Sequence, residues 1–224
     1  MTRKEIRTMV RSKIGEPIAK YFQNLELDAW INDSGRDIAF RTKCLKDTDL
    51  MTTVENQAEY TISTAIDDDI LSIYDVYLYR DGSRWDKLES TTRDELDILQ
   101  DGWQSQDAST PVKYWYDKQL DTLGLYPKPN SDNSGVGYVK VYVNQEFTAL
   151  TVDTATPSLP VQLHLAIVDF VSGVALDSRS DKNADYSKSS SVWQQYYARI
   201  QQYLSESRRE KTDEEVIIKS YRNI

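Results

Sequence analysis

The chain of 224 residues contains very few of the residue types that metal sites and catalytic centres use most often. Its one cysteine, Cys44, excludes a disulfide within the chain and any cysteine cluster around a metal ion. Its one histidine, His164, lies in an apolar stretch and has no second histidine four residues away. We therefore interpret His164 as a structural residue, and we predict no metal site and no Ser-His-Asp triad.

Two further shortages narrow the possible functions. The 8 glycines are scattered, and neither GxGxxG nor GxxxxGK followed by Ser or Thr, the patterns of phosphate-binding loops, occurs. No uninterrupted apolar run approaches the roughly 18 residues of a membrane span, and residues 2–14 are too charged for a secretory signal. We therefore predict no enzyme activity, no cofactor and no membrane partner, in a protein that is assembled in the cytoplasm.

The formal net charge is −9, from 27 basic and 36 acidic side chains. This balance argues against a protein that coats nucleic acid, because phosphate binding requires clustered Lys and Arg. Basic residues concentrate near the N-terminus, and acidic residues concentrate in the middle of the chain. There the run Asp67-Asp68-Asp69 offers oxygen ligands to a hard cation, but it lacks the glycine and the later glutamate of an EF-hand loop. We interpret this run as a solvated turn, with a cation site as the alternative.

The N-terminal region is predicted to form two helices. Apolar residues recur at helical spacing over residues 2–14, behind a Thr2 side chain that can cap the first turn. Gly15 and Pro17 end this helix. A second apolar stripe, with charged residues on the opposite side, predicts a helix over residues 26–44.

The C-terminal region predicts two longer helices and a tail. Over residues 161–176 apolar side chains cover nearly the whole circumference, so we expect this helix to be central. Residues 184–208 carry a stripe of aromatic and apolar side chains, which predicts a helix that packs against it. Residues 209–224 are predicted to be an extended tail whose short apolar patch becomes ordered only against a partner.

Between these regions the pattern changes to short β-branched and aromatic runs. Asp81-Gly82 marks the turn of one hairpin, and Thr92 at capping-box spacing before a glutamate predicts a short helix over residues 92–99. A second hairpin, from VKYWY to TLGLYPKP, precedes a strand over residues 136–143. This strand does not alternate strictly, so we expect both of its faces to be partly covered.

Together these patterns predict an α+β fold. A helical bundle of two N-terminal and two long C-terminal helices is expected from residues 1–46 and 160–208. An insertion at residues 47–159 is expected to form about four to six antiparallel strands in a small sandwich or barrel. The extended tail covers residues 209–224.

The aromatic residues of the insertion suggest a possible function in carbohydrate binding. Exposed tryptophan and tyrosine rings stack on sugars, whereas the same rings in a core only stabilise the fold. The residues concerned are Trp85, Trp103, Trp115 and Tyr116. Basic residues are not interleaved with them along the sequence, which argues against stacking of single-stranded nucleic acid.

The order of these segments resembles that of the head-to-tail adaptor, or connector, proteins of tailed bacteriophages. The resemblance is carried by the N-terminal helix LDAWINDSGRDIAFRTKCL, the strand-rich insertion, LGLYPKP with GYVKVYVN, the helix LPVQLHLAIVDFVSGVAL, and the Trp/Tyr-bearing last helix with its tail. It implies a virion protein of the neck that forms a homo-oligomeric ring of about twelve subunits below the portal. The ring would continue the DNA channel and join the capsid to tail or nozzle proteins, while DNA passes without sequence-specific binding.

The resemblance also implies where the portal protein binds. Members of this family dock on the portal through a C-terminal segment, which corresponds here to residues 212–224. Its candidate contact residues are Val216, Ile217, Ile218 and Tyr221. The family offers no catalytic residues to transfer to this sequence.

A ring requires two different faces on each subunit, and charge suggests a pair of them. Arg7 and Arg11 of the first helix are the candidates for one face, and Asp67, Asp68 and Asp69 for the other. Two alternative functions remain open at this point. One is another tail or neck component, such as a tail-completion protein or a nozzle-side ring, and the other is a carbohydrate-binding β module.

Overall fold

The computed structural model describes residues 1–66, 70–80, 84–105, 108, 112–119, 121–179 and 184–221. The chain divides into two compact units. We call Met1–Leu45 with Phe147–Ile224 the helical unit, and Lys46–Glu146 the β unit. The predicted insertion covers residues 47–159, whereas the β unit ends at Glu146.

The described residues form six α helices and eight β strands, so the fold is mixed α+β. In chain order they are α1 (Arg3–Lys13), α2 (Asn24–Thr42), β1 (Lys46–Thr53), β2 (Glu59–Thr61), α3 (Ile62–Ala65), β3 (Ile70–Arg80), β4 (Arg84–Lys87), β5 (Glu89–Thr91), α4 (Arg93–Leu99), β6 (Tyr114–Gln119), β7 (Thr122–Tyr126), β8 (Gly135–Gln145), α5 (His164–Ser178) and α6 (Ala184–Tyr221).

Helix α1 begins and ends where its sequence predicts. The Glu5 N–H donates to Thr2 Oγ1 at 3.3 Å, and the Thr2 N–H donates to Glu5 Oε2 at 2.9 Å, which completes a capping box. Gly15 follows the helix with φ +73°, a left-handed conformation that glycine adopts without a Cβ clash. These local signals are confirmed.

Helix α5 is the central helix of the helical unit, as its apolar circumference predicts. It contacts α1, α2 and α6. The segment Val161–Ser178 is long and apolar enough to cross a membrane by length and composition, but 61% of it is buried within the structure. The Phe170 and Trp193 rings of α5 and α6 meet edge to face at 5.3 Å. This burial is the pattern of a core helix.

Helix α6 corrects the predicted tail. It continues from Ala184 to Tyr221, so the extended segment predicted over residues 209–224 is wrong up to Tyr221. The helix contains no proline or glycine, the residues that end helices most often. Among the α6 side chains that the structure describes, Val192, Tyr196 and Ile200 are buried.

The β unit contains two four-stranded sheets, with strand orders β1-β8-β3-β4 and β2-β7-β6-β5. We call them the first and the second sheet. Both predicted hairpins, β3–β4 and β6–β7, are present, and only β5 and β6 are parallel among the described strand pairs. One hydrophobic core contains side chains from both sheets. Eight described strands exceed the predicted number because several of them are only three or four residues long.

The strand β8 alternates over residues 138–143, but not at its end, where Val143 and Asn144 are both buried. Val139, Val141 and Val143 belong to the core, whereas Tyr138, Lys140 and Tyr142 are only partly buried. The three valines form the core face, and the opposite face is partly covered as well, as the sequence predicts.

The second sheet carries a separate aromatic cluster on the side away from this core. Trp115 points into the core, while its neighbour Tyr116 packs edge to face on Trp103 at 5.4 Å. The ring of Tyr116 also lies over Gly124, where a Cβ atom would come within 2.1 Å of it. The glycine of the LGLYPKP segment is therefore a packing requirement of this cluster.

Candidate functional site

The first sheet presents a continuous row of aromatic and lysine side chains on the side that points away from the core. We call this surface the aromatic face. Its members are partly buried or exposed, and they come from β1, β3, β4 and β8: Lys46, Tyr74, Tyr77, Tyr79, Trp85, Lys87, Tyr138, Lys140 and Tyr142.

Strand register brings these residues together. Tyr77 lies opposite both Lys140 and Lys87, and Tyr79 lies opposite Trp85. Because partners in an antiparallel register share one face, Tyr77 of β3 meets Lys87 of β4 and Lys140 of β8. The register shifts between Ile73 and Asp75, so Tyr74 is not in simple alternation with Tyr77 and Tyr79.

The aromatic face is a packed array. The Lys140 ammonium lies 4.2 Å from the centroid of the Trp85 ring, and the rings of Tyr79 and Trp85 are 5.1 Å apart. The Tyr77 and Tyr142 rings are 5.2 Å apart. Such cation–π and aromatic contacts hold the side chains in place, which lowers the entropy that a partner would have to remove on binding.

Charge on the aromatic face is mainly positive. The face contains three lysines, and the carboxylate of Asp75 is in contact with it. Asp75 Oδ1 accepts a hydrogen bond from Lys87 Nζ at 2.5 Å. This hydrogen bond raises the pKa of the Lys87 ammonium. Lys46 lies 5.3 Å from the Tyr74 ring centroid. The structure therefore interleaves basic and aromatic residues, which the linear sequence did not show for Trp85.

The second candidate surface belongs to α4, which covers the aromatic cluster of the second sheet through its buried Leu96. We call it the acidic ridge and define it by five exposed residues: Asp94, Asp97, Ile98, Leu99 and Asp101. The apolar side chains of Ile98 and Leu99 are 85% and 66% exposed. Exposed apolar residues ringed by charge are typical of a contact surface.

The helix that carries the acidic ridge is firmly anchored. The Glu95 N–H donates to Thr92 Oγ1 at 3.2 Å and the Thr92 N–H donates to Glu95 Oε2 at 3.0 Å, as the capping-box spacing predicts. The Thr92 N–H, together with the Thr91 hydroxyl, holds the pKa of the Glu95 carboxyl below its usual value. Asp97 accepts from the indole N–H of Trp103 at 2.6 Å. The ridge is therefore fixed at both ends of a short helix.

The two units differ strongly in charge. Residues 46–146 contain 9 basic and 20 acidic side chains, which gives the β unit a formal charge of −11. The remaining 18 basic and 16 acidic side chains give the helical unit +2, so the whole of the net −9 belongs to the β unit. The mainly positive aromatic face is an exception within this acidic unit.

The structure corrects the predicted role of Arg7. Its guanidinium lies 3.2 Å from Asp28 Oδ2 and also donates to Asp153, and the residue is only 8% exposed. Burial raises the pKa of the Asp28 carboxyl, although Arg7 and Arg3 oppose that shift. Arg3 and Arg7 both donate to Asp153 and hold its pKa below the usual value. Arg7 is thus used inside the helical unit.

Arg11 is used inside the same unit. It donates to Glu16 Oε1 at 3.3 Å, to the Phe22 carbonyl at 2.9 Å and to Asn24 Oδ1 at 2.7 Å. Since Arg7 and Arg11 are both buried with partners in their own chain, their assignment to a subunit interface is withdrawn. Asp67, Asp68 and Asp69, their predicted counterparts, lie outside the described residues.

Glu16 organises the loop between α1 and α2. Its Oε1 accepts from the backbone N–H groups of Lys20, Tyr21 and Phe22 at 2.6, 2.8 and 3.2 Å. Burial opposes ionisation of Glu16, but these donors and Arg11 outweigh it and hold the pKa of its carboxyl below the usual value. A single carboxylate therefore fixes the path of the loop.

His164 has the structural role that its sequence context predicts. It is 2% exposed, and its Nε2 lies 3.0 Å from the Leu159 carbonyl oxygen. Its Nδ1 lies 3.1 Å from the Met1 nitrogen. Burial lowers the pKa of the imidazole, which favours the neutral form.

The residues proposed for sugar stacking are mostly buried. Trp103, Trp115 and Tyr116 are 4%, 7% and 1% exposed, and burial with Glu59 nearby raises the pKa of Tyr116 to about 12. A cavity of about 370 Å³ lies beside Trp103 and Tyr116, but neither ring forms an open platform there. Trp85 alone is partly exposed, in the aromatic face.

Two further predictions concern metal binding and the portal contact. No group of three or more His, Cys, Asp or Glu side chains that could hold a metal ion occurs in the described part of the chain. The predicted portal contacts Val216, Ile217, Ile218 and Tyr221 lie in the last turns of α6, and their side chains are outside the described residues.

Comparison with known proteins gives one positive result. The family model described as SU10 adaptor protein matches residues 1–217, which extend over both units. No curated protein matches the chain.

Proposed function

The chain belongs to the SU10 adaptor protein family, and from this membership we propose that it is the head-to-tail adaptor of a tailed bacteriophage. Copies form a ring of about twelve subunits below the portal, continue the DNA channel and join the capsid to tail or nozzle proteins. The protein is assembled in the host cytoplasm and resides in the neck of the virion. Its role is structural, without catalysis. The observation that carries the proposal is the family match over residues 1–217.

The architecture that we infer for the subunit is a helical bundle with an inserted β sandwich. Contacts of α5 with α1, α2 and α6 support the bundle. The single core shared by the two sheets supports the sandwich. Such a subunit offers surfaces for assembly, which is what a structural role requires.

The charge of the β unit supports a passage for DNA. A wall with excess carboxylates repels phosphates, so DNA slides along it without being held. The β unit has a formal charge of −11, and the aromatic face is mainly positive within it. We therefore propose that acidic surfaces of the β unit face the channel, while the aromatic face is used in protein contacts.

We propose further that the C-terminal end of α6 docks on the portal. Residues 212–224 correspond to the docking segment of the adaptors that the sequence resembles, and Val216, Ile217, Ile218 and Tyr221 are its candidate contacts. Helix α6 continues to Tyr221, so most of this segment is helical. A helix can bind in a groove of a partner protein.

Deleting residues 212–224 tests the docking segment. We expect the shortened chain to keep its helical circular dichroism, because the buried residues of α6 precede the deletion, and to lose binding to purified portal rings in pull-down and sedimentation. Deleting residues 222–224 alone is the matched control and should leave portal binding intact. Full portal binding by the longer deletion, or loss of folding by it, would contradict this assignment.

A further inference from the structure

We propose that neighbouring copies of the chain bind each other through the aromatic face of one β unit and the acidic ridge of the next. The inference rests on the proposed function, since it names the subunit contact of the ring. The occupant of the aromatic face is therefore a second copy of this chain, and the contact residues on that copy are those of the acidic ridge.

Position within the β unit is the first argument. The aromatic face is the side of the first sheet that points away from the shared core. Helix α4 packs through Leu96 on the side of the second sheet that also points away from that core. The two surfaces therefore lie on opposite sides of one unit, so both are available for a head-to-tail contact between identical subunits.

Charge complementarity is the second argument. The aromatic face combines Lys46, Lys87 and Lys140 with the carboxylate of Asp75, which is paired with Lys87. The acidic ridge combines three aspartates with no basic member. In a unit with a formal charge of −11, two surfaces chosen at random would repel each other. The aromatic face is mainly positive, so it would attract an acidic surface of a neighbouring copy.

Apolar complementarity is the third argument. Ile98 and Leu99 of the acidic ridge are large, adjacent and mostly exposed, and they have no apolar cover within the described part of their own chain. Tyrosine and tryptophan rings with polar tips are the side chains that protein interfaces favour for such partners. The ridge would place its two apolar side chains on the rings and its aspartates near the lysines at the rim.

Such a contact propagates. Each copy has one aromatic face and one acidic ridge. In a row of bound copies, the copy at one end therefore has an unoccupied aromatic face, and the copy at the other end has an unoccupied acidic ridge. A contact of this heterologous type closes into a ring when the rotation between copies divides a full turn. An isologous contact, aromatic face to aromatic face, would bring lysines together and would stop at a dimer.

Disulfide trapping with two differently tagged full-length chains tests the inference. Both chains carry Cys44→Ser, which removes the native thiol. One carries Leu50→Cys, an exposed position opposite Lys140 on the aromatic face, and the other carries Ile98→Cys on the acidic ridge. The control pair combines Ile98→Cys with Val161→Cys, which is 77% exposed in the helical unit. Mixtures are oxidised mildly at high protein concentration.

We expect several-fold more face–ridge heterodimer than either homodimer or the control pair yields. Adding Lys140→Glu to the Leu50→Cys chain should lower the heterodimer several-fold, because it reverses a charge of the aromatic face. Lys113→Glu, an exposed lysine of the β unit outside this face, should not. Heterodimer no more abundant than the homodimers or the control pair would overturn the inference.

Nucleic acid is the competing occupant, and it is tested with a fluorescent single-stranded oligonucleotide. Saturable oligonucleotide binding that Lys140→Glu abolishes would place nucleic acid on the aromatic face and contradict the subunit contact. Portal binding distinguishes a failure of the subunit contact from a failure of the proposed function. If trapping fails while a ring of copies still forms on the portal, the assigned contact is wrong and the proposed function stands. If trapping succeeds without portal binding, the proposed function is wrong.

Discussion

At the scale of single residues, the helical unit uses its charges internally. Arg7 and Arg11 are buried beside carboxylates, and Lys13 Nζ lies 2.6 Å from the buried Asp169. Removing one member of such a set leaves a buried charge without its partner, which costs more free energy than the pair itself contributes. The N-terminal helix is thus basic in sequence and largely neutralised in the structure.

Glu16→Gln is predicted to reduce the free energy of unfolding by about 1–3 kcal/mol at pH 7, because three backbone donors and Arg11 lose a charged acceptor. The folded pKa of Glu16 lies below the ordinary value of 4.5. Its stabilisation is therefore complete above pH 4.5 and is lost as pH falls through the folded pKa. Urea unfolding between pH 3 and pH 7 should show the wild type and variant converging at the acidic end.

The exposed Glu26 provides the control for this measurement. Glu26→Gln should change the unfolding free energy by less than about 0.5 kcal/mol at every pH. An equal loss in both variants, or a loss for Glu16→Gln that does not depend on pH, would show that the carboxylate does not organise the loop.

Residues whose partners are close in sequence were the ones that the sequence predicted well. The caps at Thr2 and Thr92 and the end of α1 at Gly15 depend on atoms within a few positions. The role of Arg7 depends on Asp153, 146 positions away. The composition of the first helix alone therefore suggested a free basic surface. Distance along the chain accounts for the error at Arg7 but not for the error at Arg11, whose partners Glu16, Phe22 and Asn24 are close in sequence.

At the scale of elements, the same distinction explains the two candidate surfaces. The acidic ridge lies on a helix whose cap and length follow from a short segment. The aromatic face combines β3 and β8, which pair across about sixty positions, and its members become visible only through the register. The alternation of KVYV was the available signal, but it does not by itself identify the strands that pair with β8 on either side.

Thr92→Ala is predicted to loosen α4 and, with it, the acidic ridge. Loss of the capping hydroxyl should cost about 1 kcal/mol locally. Hydrogen exchange of the amides in residues 93–99 should accelerate, and face–ridge trapping should decline. Thr92→Ser keeps a hydroxyl acceptor and should behave like the wild type. Unchanged exchange in Thr92→Ala would mean that the capping box does not hold this helix.

The last helix shows the opposite error. A short apolar patch after a charged segment suggested an extended tail, but the absence of proline and glycine allows α6 to continue to Tyr221. The change from charged to apolar residues near the end of the chain therefore does not end the helix. For the proposed docking segment, the consequence is that a helix end, not a strand, approaches the portal.

At the scale of the whole molecule, charge is divided between the units. The helical unit is close to neutral, and the β unit carries the acidic excess together with both proposed subunit surfaces. This division fits a ring protein whose function lies in surfaces and symmetry instead of a pocket. The family match supplies the link from that physical description to an adaptor.

Native mass spectrometry of purified portal rings incubated with the chain tests the central claim most directly. Each bound copy adds 25.9 kDa. We expect a dominant complex in which the added copies form a complete ring, about twelve in number, with few partly filled species because neighbouring copies bind one another. Portal rings that acquire no added mass, or that bind scattered single copies without reaching a complete ring, would contradict it.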